Sequence, residues 1–355
     1  MTGVQTCALP ICDKGKARAG ILEGLADGTV NIAVGTHALF QDDVAFHALK
    51  LAVIDEQHKF GVHQRLELAS KGEAVDVLVM TATPIPRTLM LTAYGDMDVS
   101  RLLDKPAGRQ PVDTRVLPAS KLGSIAEGVQ RQLDAGARVY WVCPLVEENE
   151  SLDLAAAEDR SKELKTMFGE DNVGLVHGRM KGKDKDAVMA DFQAGRISVL
   201  VATTVIEVGV DVPEATVMVV EHAERFGLAQ LHQLRGRIGR GHGKSTCLLV
   251  YAPPLGEIAS KRLKILRETE DGFVIAEEDL KLRGAGELLG TRQSGMPEFR
   301  MADLETHADL LPMANDDAKM ILATDADLKS PRGQALRTLL YLFERDAAIK
   351  FLRSG

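Results

Sequence analysis

Residues 51–58 read Leu-Ala-Val-Ile-Asp-Glu-Gln-His, an apolar run of four residues that ends in two carboxylates. A short run that is apolar at every position is typical of a strand buried on both faces of a parallel sheet. The next such run, residues 75–80, ends in Thr81-Ala82-Thr83. Ligands of open parallel sheets bind beyond the carboxyl ends of the strands. The sequence therefore predicts an α/β fold with a site at residues 55–58 and 81–83.

The same alternation of helices and strands continues along the chain. Helices are predicted over residues 14–27, 121–135 and 183–193, and further strands over residues 31–34, 138–143, 173–176, 197–202, 217–220 and 246–251. Residues 105–108, Lys-Pro-Ala-Gly, interrupt the pattern and predict a linker. After about residue 255 the chain becomes helical and charged, with glycine-rich interruptions at residues 284–295. Two α/β units in tandem, followed by a helical region, are therefore predicted.

The composition excludes several classes of protein. The 355 residues include 43 Lys and Arg and 51 Asp and Glu, which gives a net charge of −8. This balance disfavours a polybasic, histone-like protein, but a local basic groove can still bind nucleic acid. No apolar run approaches the ~20 residues of a membrane-spanning helix. The four cysteines do not make a disulfide scaffold, and Cys143 and Cys247, which lie in apolar runs, are predicted to be buried free thiols.

The first twelve residues, MTGVQTCALPIC, differ from the rest of the chain. They hold two of the four cysteines and show no helix or strand pattern that joins the remainder. They resemble translated sequencing-adapter text. We therefore predict that residues 1–12 are a non-native leader outside the fold and that the native protein begins further upstream; a natural disordered tail is the alternative.

A third polar cluster lies at residues 233–240, Gln-Leu-Arg-Gly-Arg-Ile-Gly-Arg. Arg237 and Arg240 are three residues apart, which predicts one helical face from which two guanidinium groups can bind a phosphate. The plain alternative is a solvated helix face. Gly236 and Gly239 argue against that alternative, because glycine disfavours a helix interior.

Taken in this order and at these separations, the three clusters resemble motifs II, III and VI of superfamily 2 helicases and translocases. Residues 35–39, 177–180 and 202–211 are similar to further motifs of that superfamily. Residues 279–295, DLKLRGAGELLGTRQSG, resemble the translocation motif shared by the RecG family and the transcription-repair coupling factor. Gln57, and a chain that ends 60 residues after this motif, favour the RecG family.

The resemblance covers residues 13–355 and implies a domain organisation. It implies two tandem RecA-like parallel-sheet motor domains, the first incomplete, followed by a small helical C-terminal region. The boundaries implied are residues 13–104 for the first motor domain, 105–111 for the linker, 112–270 for the second motor domain and 271–355 for the C-terminal region. The translocation motif lies in this last region.

The resemblance also implies the chemistry of an ATP-dependent helicase that uses ATP and Mg²⁺. Asp55 would hold Mg²⁺ through water, Glu56 would activate the attacking water, and Arg237 with Arg240 would stabilise charge on the γ-phosphate. Further nucleotide contacts would come from His58, Gln233, Gly209 and Asp211. DNA contact and coupling would come from Thr36, Thr81, Thr83, Thr204, Arg283 and Gln293.

The partners and setting follow from the same resemblance. It implies translocation on duplex DNA that remodels stalled replication forks and Holliday junctions in recombination and repair. It further implies single-strand DNA-binding protein as a partner, no membrane, a monomeric state, and a place at the nucleoid in the bacterial cytoplasm.

One element that this chemistry requires is missing from the sequence. The phosphate-cradling pattern G-x-x-x-x-G-K-[ST] occurs nowhere in the 355 residues. The nearest candidate, Gly243-Lys244-Ser245, has Ile238 where the first glycine is required, and it precedes a predicted strand. We therefore expect this chain to be inactive as an ATPase. A motor fragment of the coupling factor, a catalytically dead DNA-binding remnant and a nucleotide-binding regulator stay open as alternatives.

Overall fold

The computed structural model describes residues 6–9, 16–41, 43–56, 71–72, 75–81, 99–104, 108–144, 150–203, 212–241, 243–288, 307 and 309–343. These residues form two compact units. The first unit holds the described residues up to Thr81, and the second holds those from Val99 onward.

The first unit combines one helix with two pairs of parallel strands among its described residues. Its elements are β1 (Thr6–Leu9), α1 (Lys16–Asp27), β2 (Ile32–Gly35), β3 (Leu51–Ile54) and β4 (Asp76–Val79). β1 pairs with β2, and β3 pairs with β4. Parallel neighbours need a crossover connection, and α1 supplies the one between β1 and β2. Its Leu25 packs against Ala38 and Val44 in a small apolar core.

The strand β1 falls inside the stretch that was expected to stay outside the fold. Thr6–Leu9 aligns in parallel with Ile32–Gly35 along its whole length. The expectation that residues 1–12 have no strand pattern joining the rest is therefore wrong at these four residues. The reason is physical: Thr-Cys-Ala-Leu is short and mostly apolar, so its backbone can pair with an open strand edge. The origin of residues 1–12 stays a prediction.

The second unit is built on a six-stranded sheet with the order β5-β10-β9-β6-β8-β7, in which every neighbouring pair is parallel. Its elements, in chain order, are β5 (Val112–Pro118), α2 (Leu122–Asp134), β6 (Arg138–Val142), α3 (Glu150–Phe168), β7 (Val173–Val176), α4 (Gly182–Gln193), β8 (Val199–Ala202), β9 (Ala215–Val220), α5 (Leu228–Arg235), β10 (Ser245–Tyr251), α6 (Glu257–Glu268), α7 (Gly272–Leu288), α8 (Leu310–Asp325) and α9 (Pro331–Leu342).

Both faces of this sheet are covered, which explains why its inner strands are largely apolar at successive positions. On one face Tyr140 packs against Phe192, with ring centroids 5.0 Å apart. On the other face Trp141 packs against Phe168 at 6.5 Å. Successive strand residues point to opposite faces, so a strand buried on both sides needs an apolar residue at every position. The parallel α/β architecture predicted from the sequence is therefore confirmed.

The predicted elements agree closely with the observed ones. The strands at residues 51–54 and 173–176 coincide with β3 and β7, and the other predicted strands and helices agree to within two residues at each end. The C-terminal region is helical among its described residues, as expected. None of the described helices is long and apolar enough to cross a membrane.

The two cysteines of the second unit are buried free thiols, as predicted. Burial raises the pKa of Cys143 to about 12, and the neighbouring Glu221 carboxylate adds to this effect. Burial likewise raises the pKa of Cys247 to about 12. Both thiols therefore stay protonated at neutral pH and serve as apolar core groups.

A buried ion pair joins α3 to the carboxyl ends of β6 and β9. Both oxygens of Glu221, which is 6% exposed, are bound by Arg160: Nε lies 2.7 Å from Oε1, and Nη2 donates to Oε2 at 2.9 Å. The Trp141 indole also donates to Oε1, at 2.5 Å. A carboxylate taken out of water needs such partners, because burying an unpaired charge is costly.

Replacing Glu221 by Ala leaves the buried Trp141 indole N–H without its acceptor and is therefore expected to lower the free energy of unfolding of the second unit by about 1–3 kcal/mol. The matched control is Glu163→Ala, which removes an exposed partner of the same Arg160 side chain and should cost about 0–1 kcal/mol. Urea unfolding followed by the fluorescence of Trp141, the only tryptophan in the sequence, measures both. Equal losses in the two variants would contradict the burial argument.

Candidate functional site

The first two polar clusters meet at one edge of the first unit. β3 and β4 are parallel with Ile54 aligned to Val79, and the Met80 amide donates to the Ile54 carbonyl at 2.8 Å. The carboxyl ends of both strands therefore face the same way. Asp55 and Glu56 follow one strand and Thr81 follows the other. The structure thus brings together Asp55, Glu56 and Thr81, as the sequence predicted.

Glu56 adopts a backbone conformation that few residues other than glycine take. Its φ is +54°, in the left-handed region, and its amide donates to Oδ1 of Asp55 at 2.9 Å. Left-handed non-glycine residues cost free energy and cluster at functional positions. The turn leaves Asp55 exposed and Glu56 half-buried.

These carboxylates suit a magnesium-assisted reaction. Asp55 is an exposed carboxylate beyond a parallel strand, which is the kind of ligand that Mg²⁺ takes through its waters. Glu56 is a second carboxylate directly beside it. The residues present therefore fit the metal, whereas no phosphate-cradling loop pattern occurs in the sequence.

Thr36 also follows a strand of the first unit, directly after β2. It stands at the start of a short 3₁₀ helix, His37–Phe40, but its side chain makes no capping hydrogen bond there. Its carbonyl accepts from the Leu39 amide at 3.1 Å. The exposed Thr36 hydroxyl is therefore not used to cap this helix.

The third cluster forms a turn in the second unit. α5 ends at Arg235, and residues 236–240, here called the arginine turn, leave the helix because Gly239 has a φ of +72°. The prediction that Arg237 and Arg240 lie on one helical face is therefore wrong. They lie on the turn, because a glycine in the left-handed region ends the helical path between them.

The arginines of this cluster lie in different environments. Arg235 is 4% exposed and donates to the carbonyls of Leu266 at 2.6 Å and Thr269 at 3.0 Å, and burial lowers its pKa. Arg237 is half-buried, and Arg240 is exposed with its Nε donating to the Gly236 carbonyl at 3.2 Å. Arg235 is therefore a packing residue, whereas Arg237 and Arg240 are the more accessible arginines of the cluster.

Gln233 lies half-buried in the last turn of α5, two residues before that helix ends. It belongs to the same unit as the arginine turn. The Gly243-Lys244-Ser245 candidate is confirmed to precede a strand, because β10 begins at Ser245. It therefore lacks the helix that a phosphate loop opens into.

Two polar side chains end adjacent strands of the second unit. Both lie in the family motifs at residues 177–180 and 202–211, but neither of them is assigned a role of its own from the sequence. Thr203, 1% exposed, follows β8, and His177 follows β7. Within the described part of the chain, Oγ1 of Thr203 and Nδ1 of His177 are buried without a hydrogen-bond partner. Buried polar atoms are normally satisfied, so these two mark a position where a ligand or a neighbouring segment completes the site. Their sequence signals are their place directly after a buried strand and their position in those two motifs.

Basic side chains gather just beyond these two residues. Arg179, Lys181, Lys183 and Lys185 lie at or before the first turn of α4, and Lys185 donates to the Gly178 carbonyl at 3.2 Å. Arg179, Lys181 and Lys183 are exposed. Lysine and arginine side chains of this kind are the usual partners of nucleic-acid phosphates.

The remaining predicted site residues lie outside what the structure describes, in whole or in part. Arg283 falls within α7, whose backbone extends to Leu288. The other residues lie outside the described ranges: His58, Thr83, Thr204, Gly209, Asp211 and Gln293.

Profiles of known protein families match three stretches of the chain. The DEAD/DEAH box helicase family matches residues 4–92, and the helicase conserved C-terminal domain matches residues 123–242. The C-terminal part of domain 3 of the ATP-dependent DNA helicase RecG matches residues 269–348. This last stretch includes the motif at residues 279–295.

Two relatives described as ATP-dependent DNA helicase RecG extend this match. The chain is 53% identical to that of Escherichia coli (strain K12) over 315 residues, which are 87% of this chain. The chain belongs to the RecG family. It is also 50% identical to RecG of Bacillus subtilis (strain 168) over 325 residues, 91% of this chain. The RecG assignment is therefore confirmed over the coupling factor.

A solved structure of RecG bound to a three-way DNA junction has the same fold. It is 41% identical to this chain, covers 88% of it, and superposes with a TM-score of 0.65. The chain covers 40% of that structure, and it spans 46% and 48% of the E. coli and B. subtilis RecG proteins. The chain therefore spans somewhat less than half the length of these RecG relatives.

Proposed function

We propose that this chain is the motor part of an ATP-dependent helicase that translocates on duplex DNA and remodels branched DNA. One observation of the structure carries the proposal. Arg235, in the last turn of α5, donates to the carbonyls of Leu266 and Thr269, where α6 ends and the chain turns into α7. The helix that bears the RecG motif is therefore held directly against the segment that bears the arginine turn.

The nucleotide chemistry is assigned to five side chains. Asp55 holds Mg²⁺ through water, and the ion would supply charge neutralisation for the phosphates. Glu56 accepts a proton from the attacking water. Arg237 and Arg240 donate hydrogen bonds to the γ-phosphate as its charge develops, and Gln233 binds beside them.

The remaining predicted nucleotide contacts come from His58, Gly209 and Asp211. DNA contact and coupling are assigned to Thr36, Thr81, Thr83, Thr204, Arg283 and Gln293. Support for DNA binding comes from the exposed basic residues 179–183 and from the buried Thr203 and His177, which end adjacent strands beside them. Phosphate contacts of this kind position a protein on DNA without reading its sequence.

The partners of the whole protein belong to the same proposal. The RecG structure bound to a three-way junction supports branched DNA, including replication forks and Holliday junctions, as the substrate class. A monomeric state, single-strand DNA-binding protein as a partner, and a place at the nucleoid in the bacterial cytoplasm complete the proposal.

A chimera tests the proposal directly. In E. coli RecG, the region matched over 315 residues is replaced by the corresponding residues of this chain. We expect the chimera to hydrolyse ATP in a DNA-dependent manner and to reverse model forks at a rate within about tenfold of the parent, a shortfall of about 1.4 kcal/mol in activation free energy. A folded chimera that binds forks but neither hydrolyses ATP nor moves them would contradict the motor assignment and favour the catalytically dead remnant.

The 355-residue chain by itself is expected to show no ATP turnover, with or without DNA. Positioning of the phosphates supplies most of the catalysis in phosphoryl transfer, and the sequence holds no loop pattern to position them. Phosphate release is measured against the chain's own Glu56→Gln variant as background. DNA-stimulated release above that background would overturn this expectation.

A further inference from the structure

The segment that enters the second sheet is fixed to the arginine turn. Arg109, half-buried and three residues before β5, donates from Nη2 to the Gly236 carbonyl at 3.3 Å. Val112, the first residue of β5, lies against Gly239: a Cβ built on that glycine would come within 3.0 Å of the valine side chain. Residues 109–112 therefore support the turn at both of its glycines.

The same segment is also attached to the junction between α6 and α7. The Val112 amide donates to Oε1 of Glu270, which lies between the two helices. Further upstream, the guanidinium of Arg101 stands 5.1 Å from the ring centroid of Phe273, near the start of α7. A cation over an aromatic face at this distance is attractive. Arg101, Arg109 and Val112 thus contact the two elements to which the proposed function assigns nucleotide chemistry and DNA coupling.

The backbone carbonyl of Gly236 accepts hydrogen bonds from two arginine side chains. The Gly236 oxygen accepts from Nη2 of Arg109 at 3.3 Å and from Nε of Arg240 at 3.2 Å. A carbonyl oxygen has two lone pairs and can accept both donors. When the Arg240 side chain turns toward a phosphate and releases this oxygen, Arg109 can keep it bound.

We infer that Arg109 is a positioning residue of the arginine turn. It fixes the Gly236 carbonyl from outside the turn, so the backbone that carries Arg237 and Arg240 keeps its shape while the Arg240 side chain moves. The inference rests on the proposed function only for the role of Arg240. It gives the segment before β5 a role besides leading into the sheet, because the position of that segment acts directly on the turn.

Hydrogen exchange of the intact chain, without nucleotide or DNA, tests this inference. The amides of Gly236, Arg237 and Ile238 all donate to backbone carbonyls of α5, so their exchange reports opening of the turn. Arg109→Met keeps the aliphatic stem and removes the donor. We expect exchange of these amides to become about tenfold faster, the size of effect that one charge-assisted hydrogen bond supports. Arg109→Lys, which keeps a cationic donor, should recover most of the protection.

The matched control is Arg115→Met in the strand that follows, β5, where the guanidinium is exposed and paired with Asp113. It should leave exchange of the turn unchanged. A double variant, Arg109→Met with Arg240→Met, adds a second criterion. Because the two donors share one carbonyl, the double variant should open the turn by more than the product of the two single effects.

The outcomes that overturn the inference are distinct. Unchanged exchange at residues 236–238 in Arg109→Met would show that the contact does not hold the turn. An equal increase in amide exchange along β5 and β10 would show that Arg109 only anchors the edge strand. Multiplicative effects in the double variant would show that the carbonyl is not shared. Since no nucleotide or DNA is present, an inactive chimera would count against the proposed function and leave these results intact.

Discussion

Glu56→Gln is expected to lower ATP turnover of the RecG chimera by about 10²–10⁴, with ATP binding retained. The amide has nearly the shape of the carboxylate but cannot accept the proton of the attacking water. The left-handed backbone at this residue, with φ +54°, serves Gln as it serves Glu, so the fold should not change. Steady-state phosphate release at saturating ATP and fork DNA measures the effect.

A matched control lies at the opposite end of the same strand pair. Asp76 begins β4, is exposed, and stands at the amino end of the sheet, away from Thr81. Asp76→Asn removes a carboxylate from the same unit and should leave turnover within about twofold, as expected for a surface change with little free-energy effect. If Glu56→Gln retains more than about a tenth of the turnover of the unmodified chimera, Glu56 is not the general base.

The strands that are easiest to predict from the sequence are those with an apolar residue at every position. Val199–Ala202 and Val217–Val220 are buried at every position, so they read as unbroken apolar runs. A strand of this kind can be recognised without knowledge of its neighbours. Leu51–Ile54 also reads as an apolar run, and its ends coincide with the prediction. The expectation that this strand is buried on both faces is wrong, because Leu51 and Val53 are exposed on one face while Ala52 and Ile54 are buried on the other.

The elements that the sequence analysis did not assign include β5 and α3. Both are stabilised by packing against other parts of the chain and lack a clear apolar pattern of their own. β5, Val-Asp-Thr-Arg-Val-Leu-Pro, is an edge strand with exposed charges, so its sequence lacks an apolar run. Helix α3 buries Ala157, Ser161, Leu164 and Phe168, a face at helical spacing that includes one small and one polar residue. Hydrophobic periodicity is therefore weak there, although the face is packed.

The candidate site likewise has one part that could be predicted from the sequence and one part that could not. Asp55, Glu56 and Thr81 could be placed from the sequence because each follows a strand, and parallel strands bring their carboxyl ends to one edge. The difference between Arg235, which is buried, and Arg240, which is exposed, could not be predicted in this way. The carbonyls that hold Arg235 belong to residues 31 and 34 positions further along the chain, and only the folded chain brings them near. The left-handed φ of Gly239 and its proximity to Val112, far earlier in the chain, are likewise features of the folded chain.

Arg240→Ala is expected to lower the turnover of the chimera by about 10³ or more, with ATP affinity much less affected. A guanidinium that meets the γ-phosphate only as charge develops acts on the transition state, and removal of such a group costs about 10³–10⁵. The side chain is exposed, and the Gly236 carbonyl that it would release also accepts a hydrogen bond from Arg109. Turnover at saturating ATP and the equilibrium affinity for ATP, measured separately, distinguish the two effects.

Two controls sharpen this prediction. Arg196→Ala removes an equally exposed arginine that is paired with Asp191, far along the chain from the turn, and should leave turnover unchanged. Arg240→Lys keeps the charge but loses the planar pair of donors, so it should recover only part of the rate. If ATP affinity collapses in Arg240→Ala while turnover at saturation stays normal, Arg240 binds the ground state, and its assignment to the developing charge is wrong. If neither changes, the phosphate contact falls to Arg237, the other arginine that the turn carries.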